Sequence, residues 1–314
     1  MSSDLDLITI GESLIELSAD TKLADADTLT KYYGGDTLAV AVSAQRMGSK
    51  VGYVTKIGDD YFKDYLIESW QNEGLDISKT TVIKGYNGIY FVSRPENEKK
   101  EYSYYRKKTA ACNLNVNDID KDYILSSKAV YSSGVTQSLS INAKEVVKEV
   151  FKIAKENGVL VAYDPNFTEE IWNVEEAKEA LLEVIEYVDI LFMNTTVDGK
   201  ELITKSLNDV IKYFWEKGVK TVIIKSSQEQ GYYIGKDGEI VFINFYNTND
   251  IKDTTCAGDA FNGAYIHEIL KGSSYLEAGK FAAIVAGLQS QNVGAIKSIP
   301  YKETVYKIFK GTNE

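Results

Sequence analysis

One histidine, His267, and two cysteines, Cys112 and Cys256, are all that the chain offers of the residues most often found in zinc sites, disulfide frameworks and nucleophilic triads. The cysteines lie too far apart for a CxxC pair, and neither a disulfide scaffold nor a histidine-based triad is expected. Three prolines, Pro95, Pro165 and Pro300, and no low-complexity tract argue against a long disordered linker. Basic residues are outnumbered, 35 against 46 acidic, for a net charge of −11. That balance excludes the wide electropositive face that releases counterions from nucleic acid. The longest near-unbroken apolar run, Phe281 to Leu288, falls well short of the roughly 20 residues a membrane helix needs. The opening Met-Ser-Ser-Asp-Leu-Asp carries neither the basic segment nor the apolar stretch of a secretory signal, so a cytoplasmic location is expected. With 44% apolar and 26% charged residues, the 314-residue chain has the composition of a folded protein and is read as one unit, 1–314.

From about residue 129 the pattern is regular. Short β-rich runs, Ala129 to Ser133, Val159 to Tyr163, Ile190 to Met193 and Thr221 to Ile224, alternate with helical stretches at roughly the length of a βαβ unit. This predicts an α/β fold with a mostly parallel sheet. The clearest helix is Ile141 to Asn157, where Ala143, Val146, Val147, Val150, Phe151 and Ala154 make one apolar face and Gly158 follows as a stop. The first 110 residues differ in texture. A strand from Leu5 to Ile10 meets Gly11, and a helix follows Gly34-Gly35-Asp36 from Thr37 to Met47. Gly88 to Ser93 and Glu101 to Arg106 read as an antiparallel hairpin, part of a small second sheet. Alternation puts Tyr102 and Tyr104 on one face with Arg106, which suits either a substrate or an interface between copies of the chain.

The segment Asp253-Thr254-Thr255-Cys256-Ala257-Gly258-Asp259 leads into a helix from Ala260 to Lys271. Small residues at a helix start expose consecutive N–H groups, and the helix dipole adds positive potential, so the site attracts phosphate. A carboxylate at such a point repels the ligand unless it has a task there. Accepting the proton of a hydroxyl that attacks a phosphoryl group is a task that fits Asp259; interaction with the helix dipole is the alternative. A thiol at this position, Cys256, is expected either to fill space or to be acidified by the dipole.

The segment resembles the DTxGAGD signature of the ribokinase-like (PfkB-type) carbohydrate kinases, and Gly34-Gly35-Asp36-Thr37 resembles that family's N-terminal sugar-binding signature. The resemblance spans essentially the whole chain. It implies a three-layer αβα fold with a small β-sheet lid built from about 12–35 and 80–110, ATP and Mg²⁺ as cofactors, and a sugar or sugar acid as partner. By the same resemblance Asp259 is the base, and the backbone of Cys256, Ala257 and Gly258 is the anion hole. Gly88-Ile89-Tyr90, Tyr104-Tyr105-Arg106 and Asp164-Pro165-Asn166 with Trp172 are similar to 2-keto-3-deoxygluconate kinases. Gly34, Gly35, Asp36, Tyr90, Tyr104 and Arg106 are therefore candidates to bind the sugar. Arg106 offers planar paired donors suited to a carboxylate; a lid salt bridge is its other use.

Two departures stand out. Thr168 replaces an arginine usual after Asp164-Pro165-Asn166-Phe167, and the NxxE element keeps Asn194 but has Val197 three positions on, leaving Asp198 or Glu201 to substitute. Asn194, Ser227, Gly231 and Asn292 are the remaining nucleotide-side candidates, with loop or cap roles as alternatives. Asp253 is a candidate for a monovalent cation such as K⁺, or a cap. Fructokinase is the second activity the resemblance allows, and a noncatalytic sensor a third reading. The hairpin edges make a homo-oligomer through the lid a further expectation.

Overall fold

The computed structural model describes residues 4–95, 100–194, 206–246 and 250–311. Its strands are β1 (Leu5–Ile10), β2 (Leu14–Ala19), β3 (Thr30–Gly34), β4 (Val51–Val54), β5 (Lys56–Gly58), β6 (Thr81–Ile83), β7 (Gly88–Ser93), β8 (Glu101–Tyr105), β9 (Ser127–Ser133), β10 (Leu160–Asp164), β11 (Ile190–Asn194), β12 (Thr221–Ser226), β13 (Gly231–Lys236) and β14 (Glu239–Asn244). The helices are α1 (Asp36–Met47), α2 (Lys63–Asn72), α3 (Lys121–Leu125), α4 (Gly134–Gln137), α5 (Ile141–Glu156), α6 (Val174–Val184), α7 (Leu207–Glu216), α8 (Ala257–Leu270), α9 (Tyr275–Gln289) and α10 (Lys302–Gly311).

The large sheet runs β14-β13-β12-β11-β10-β9-β1-β4, parallel from β12 to β4, with β13 and β14 added antiparallel at one edge. Both faces are covered, as a parallel sheet requires. Alternate residues divide between two cores: Ala162, Ile190, Phe192 and Ile223 pack with α1, α8 and α9, while Val161, Leu191, Met193 and Val222 pack with α5, α6 and α7. The apolar face read in α5 is wholly buried, and Ser140 caps that helix by accepting from the Ala143 amide.

Helices α1 and α8 meet at backbone distance. Ser43 Oγ donates to the Ala260 carbonyl at 2.6 Å, and a side chain on Gly263 would overlap the Val40 carbonyl oxygen. The small sheet runs β3-β2-β7-β8, with β3 and β8 at its edges. The hairpin pairs Tyr90 with Tyr104, and Tyr104 stacks on both Tyr90 and Tyr102. Among the described residues no helix is long and apolar enough to cross a membrane.

Candidate active site

Polar side chains gather where the parallel strands end. Ser133 and Asp164 pair in register at the ends of β9 and β10, and Asn194 pairs with Lys225 at the ends of β11 and β12. Ligand sites of open α/β sheets lie at this end because the helices begin there and leave a crevice. A cavity of about 440 Å³ opens beside these residues. Its polar end is Asp164, Asn166, Lys225 and the 256–259 turn; its other walls include Tyr246, Ala283, Ala286 and Gly287.

Helix α8 starts without a side-chain cap, unlike α5, α7 and α9, each of which has a serine there. Cys256 takes φ 61°, a left-handed turn that brings the chain sharply into the helix. The Ala257 amide donates back to the Thr254 carbonyl at 3.1 Å, closing the turn. The start of α8 thus has no side-chain cap on its leading N–H groups, and Asp259 is the acid in its first turn. A Cβ on Gly258 would lie 3.3 Å from Lys225 Nζ, so the ammonium stands next to the backbone of the turn. Lys225 Nζ also pairs with Asp164 Oδ2 at 2.5 Å, and Asn262 Nδ2 donates to the same oxygen at 2.7 Å.

Asp259 is buried in the first turn of α8. Burial and then the negative charge of Asp36 push its carboxyl up to about 8, against the pull of Lys225. Asp36 opens α1 and is raised for the same first reason, burial, while Ser133 and Arg106 hold it down. Asp36 Oδ2 is buried with no hydrogen-bond partner. An orphan carboxylate oxygen of this kind is costly unless a ligand donor answers it.

Gly34 and Gly35 shape this corner. A side chain on Gly34 would strike the Tyr90 hydroxyl, and Gly35 has φ 126° where the chain enters α1. The Tyr90 hydroxyl itself donates to Glu16 Oε2 at 2.6 Å, and its ring is buried under Tyr104. Arg106 makes the salt bridge that was its alternative reading, Nη2 to Glu12 Oε2 at 2.7 Å. It also lines a second cavity of about 210 Å³ with Tyr104, Lys107, Lys108, Ser138 and Glu170.

Several sequence expectations change. Cys256 is not an acidified thiol: burial and the Asp259 carboxylate push it well up, and its hydrogen bond with Asp259 lowers the acid in return. Gly231 does not line the nucleotide-sized cavity; it opens β13, where a side chain would collide with Phe242 and the Ile243 carbonyl. Asn292 is exposed and outside that cavity, whereas Ser227 and Asn194 line it. Asp253 faces protein cations, Arg94 and Lys100, rather than an open cage. Thr168 is half-buried and its carbonyl accepts from the Ile171 amide. Val197, Asp198 and Glu201 lie outside the described residues. Glu12 escaped the sequence reading, and Lys225, at the end of a strand placed on the nucleotide side by resemblance, was not singled out; their signal was a charge inside or soon after an apolar strand.

A mostly parallel sheet under two helical layers, a small second sheet and an uncapped glycine-bearing helix start define a ribokinase-like fold. The pfkB family carbohydrate kinase pattern matches residues 4–302, and the chain belongs to that family. It is similar to the 2-dehydro-3-deoxygluconokinase of Thermoproteus tenax, 30% identical over 301 residues covering 92% of this chain and 90% of that one. It is also similar to the 5-dehydro-2-deoxygluconokinase of Clostridium perfringens, 25% identical over 319 residues covering 98% and 94%. Among solved structures, an uncharacterized sugar kinase from Pyrococcus horikoshii in complex with ATP superposes with a TM-score of 0.80 at 31% identity, covering 96% of this chain and 97% of that one. The protein is accordingly an ATP-dependent sugar kinase.

Proposed function

We propose that the acceptor is an acidic ketose, 2-keto-3-deoxygluconate, phosphorylated on its primary hydroxyl to the 6-phosphate. The observation that carries this reading is the basic lining of the smaller cavity. Arg106, Lys107 and Lys108 line it with one acid, Glu170, while Glu12 meets Arg106 from outside the lining, in a chain whose net charge is −11. Such a wall favours a carboxylate, and the guanidinium keeps donors beyond the one that meets Glu12. The names of the Thermoproteus and Clostridium relatives support a deoxygluconate-type acceptor.

In this reading the chain holds ATP in the larger cavity with its terminal phosphate at the 256–258 turn, beside Lys225. The buried Asp36 oxygen accepts from a sugar hydroxyl and fixes the acceptor. As the acceptor oxygen bonds to the γ-phosphorus, its proton passes to an Asp259 oxygen and the bond to the β-phosphate oxygen breaks, releasing ADP. Among the described residues no cluster of three acidic, histidine or cysteine side chains could hold a metal unaided. Mg²⁺ would arrive on the phosphates, with Asn194 at the cavity wall as an oxygen donor, and would supply charge neutralisation there.

ADP release measured over a panel of sugar acids and neutral hexoses tests the acceptor. Arg106→Ala should raise KM at least tenfold for 2-keto-3-deoxygluconate and change fructose little. Preference of the unaltered enzyme for fructose would overturn the acidic reading.

A further inference from the structure

Asp253 stands three residues ahead of Cys256 and is fully buried. Its Oδ1 accepts from the Thr255 amide at 3.0 Å, the Thr255 hydroxyl at 2.6 Å and the Lys100 ammonium at 3.0 Å. Its Oδ2 accepts from Arg94 Nη2 at 2.7 Å and from the Gly294 amide at 3.4 Å. A carboxylate offers about four lone-pair positions, so these donors saturate it. Of the two sequence readings of Asp253, the monovalent cation does not fit, whereas its acceptance from the Thr255 amide is the kind of contact a cap makes.

The two cations come from elsewhere in the fold. Arg94 follows β7 and Lys100 precedes β8, both in the small sheet. Arg94 also reaches Glu16 Oε1 on β2 at 3.0 Å, and Glu16 Oε2 accepts from the Ala295 amide at 3.4 Å. Two buried carboxylates, Glu16 and Asp253, are thus balanced by one guanidinium and one ammonium. Lys100 Nζ additionally donates to the Lys252 carbonyl at 3.0 Å, so a single ammonium sits between a carboxylate oxygen and a backbone oxygen. Oxygens in that arrangement are what a weakly hydrated cation takes in exchange for its water. Downstream, Thr255 is held from two further sides: its hydroxyl meets Tyr102 OH at 2.8 Å and its carbonyl accepts from Gln289 Nε2 at 2.5 Å. Cys256 and the left-handed turn follow immediately.

We propose that Arg94 and Lys100 are positioning residues for phosphoryl transfer, whose fixed charges hold the 253–255 loop, and through it the turn at Cys256, in the place of a monovalent cation from solution. Turnover is then indifferent to potassium. Because both cations flank the β7–β8 hairpin of the small sheet, this part of the hold on the turn lasts only while that sheet is docked on the loop, which links the acceptor side to the phosphate side. The inference rests on the reading of 256–258 as the phosphate-holding turn.

The experiment measures turnover with ATP, Mg²⁺ and whichever sugar the panel shows to be accepted, and binding of the nonhydrolysable analogue AMP-PNP by calorimetry. Both are run in potassium, sodium and tetramethylammonium chloride at one ionic strength. The unaltered enzyme should give kcat and analogue affinity within twofold across the three salts. The Arg94→Ala/Lys100→Ala protein should lose at least tenfold in kcat in tetramethylammonium and regain a severalfold part of it in potassium; Arg94→Lys should stay near the starting value. Where the double variant fails to fold, Lys100→Ala alone, with its partly exposed ammonium, serves, and a severalfold potassium response is expected of it.

Severalfold activation of the unaltered enzyme by potassium would overturn the proposal. So would a folded variant, double or Lys100→Ala, with unchanged turnover in all three salts. Failure of the turn reading itself is distinguishable, because Gly258→Val would then leave AMP-PNP affinity unchanged in every salt.

Discussion

The Lys225 ammonium lies 2.5 Å from an Asp164 carboxylate oxygen while standing against the backbone of Gly258. One cation therefore serves two neighbours: it offsets Asp164 at the strand end and adds positive potential where a phosphate would rest. Lys225→Met should raise KM for ATP and lower kcat, each by about tenfold or more, the scale of a lost charge-assisted contact. It should also move the acidic limb of the pH–rate profile upward, because Lys225 is the charge that pulls Asp259 down. Steady-state kinetics from pH 6 to 10 would show an unshifted limb if the lysine is only a strut.

Asp259→Asn keeps the shape of the residue and removes its basicity. Turnover should fall by about 10²–10⁴, the range attributed to a positioned general base, with AMP-PNP affinity nearly unchanged. In the unaltered enzyme kcat/KM should climb with pH toward about 8, as the carboxyl ionises. Stability should move the opposite way. An acid whose folded pKa is raised contributes stability fully below its unfolded value near 3.8 and loses it as pH rises through about 8. Thermal melts of the Asn variant should lack this component of the decline, which falls between about pH 4 and pH 8. A profile flat from pH 6 to 9 together with near-normal turnover in the variant would remove Asp259 from the chemistry.

The thiol of Cys256 is held protonated by burial and by the carboxylate it faces. Alkylation by iodoacetamide at pH 8, mapped by mass spectrometry, should be slower at Cys256 than for a free cysteine. Cys256→Ala removes the hydrogen bond that lowers Asp259 and should shift the acidic limb upward while sparing most of kcat. Fast labelling at this position would contradict the assignment.

Local patterns were legible wherever one residue type could do only one thing. The six apolar residues of α5 all reach the core, and the β7–β8 hairpin appears with Tyr102 and Tyr104 on one face as alternation requires. Gly258 and Asp259 were readable because small residues beside an acid at a helix start are an unusual pairing. Partnerships between distant segments were not. Arg94 and Asp253 are 159 positions apart, and nothing local in either announces the other. Gly231 illustrates the reverse error. A glycine after a polar stretch resembles a ligand-approaching loop, yet here it is demanded by Phe242 on the next strand.

The backbone-close crossing of α1 and α8 has a consequence for selectivity. Asp36 opens α1 and Asp259 lies in the first turn of α8, and with Gly263 against the Val40 carbonyl the two rods are packed at backbone distance. On the roles proposed for Asp36 and Asp259, the gap between the acid that grips an alcohol and the acid that deprotonates one is then a set length, a ruler cut into the interior. Acceptors would be measured against it by the span from their anchored oxygen to their reacting one, before any rim residue inspects what else they carry.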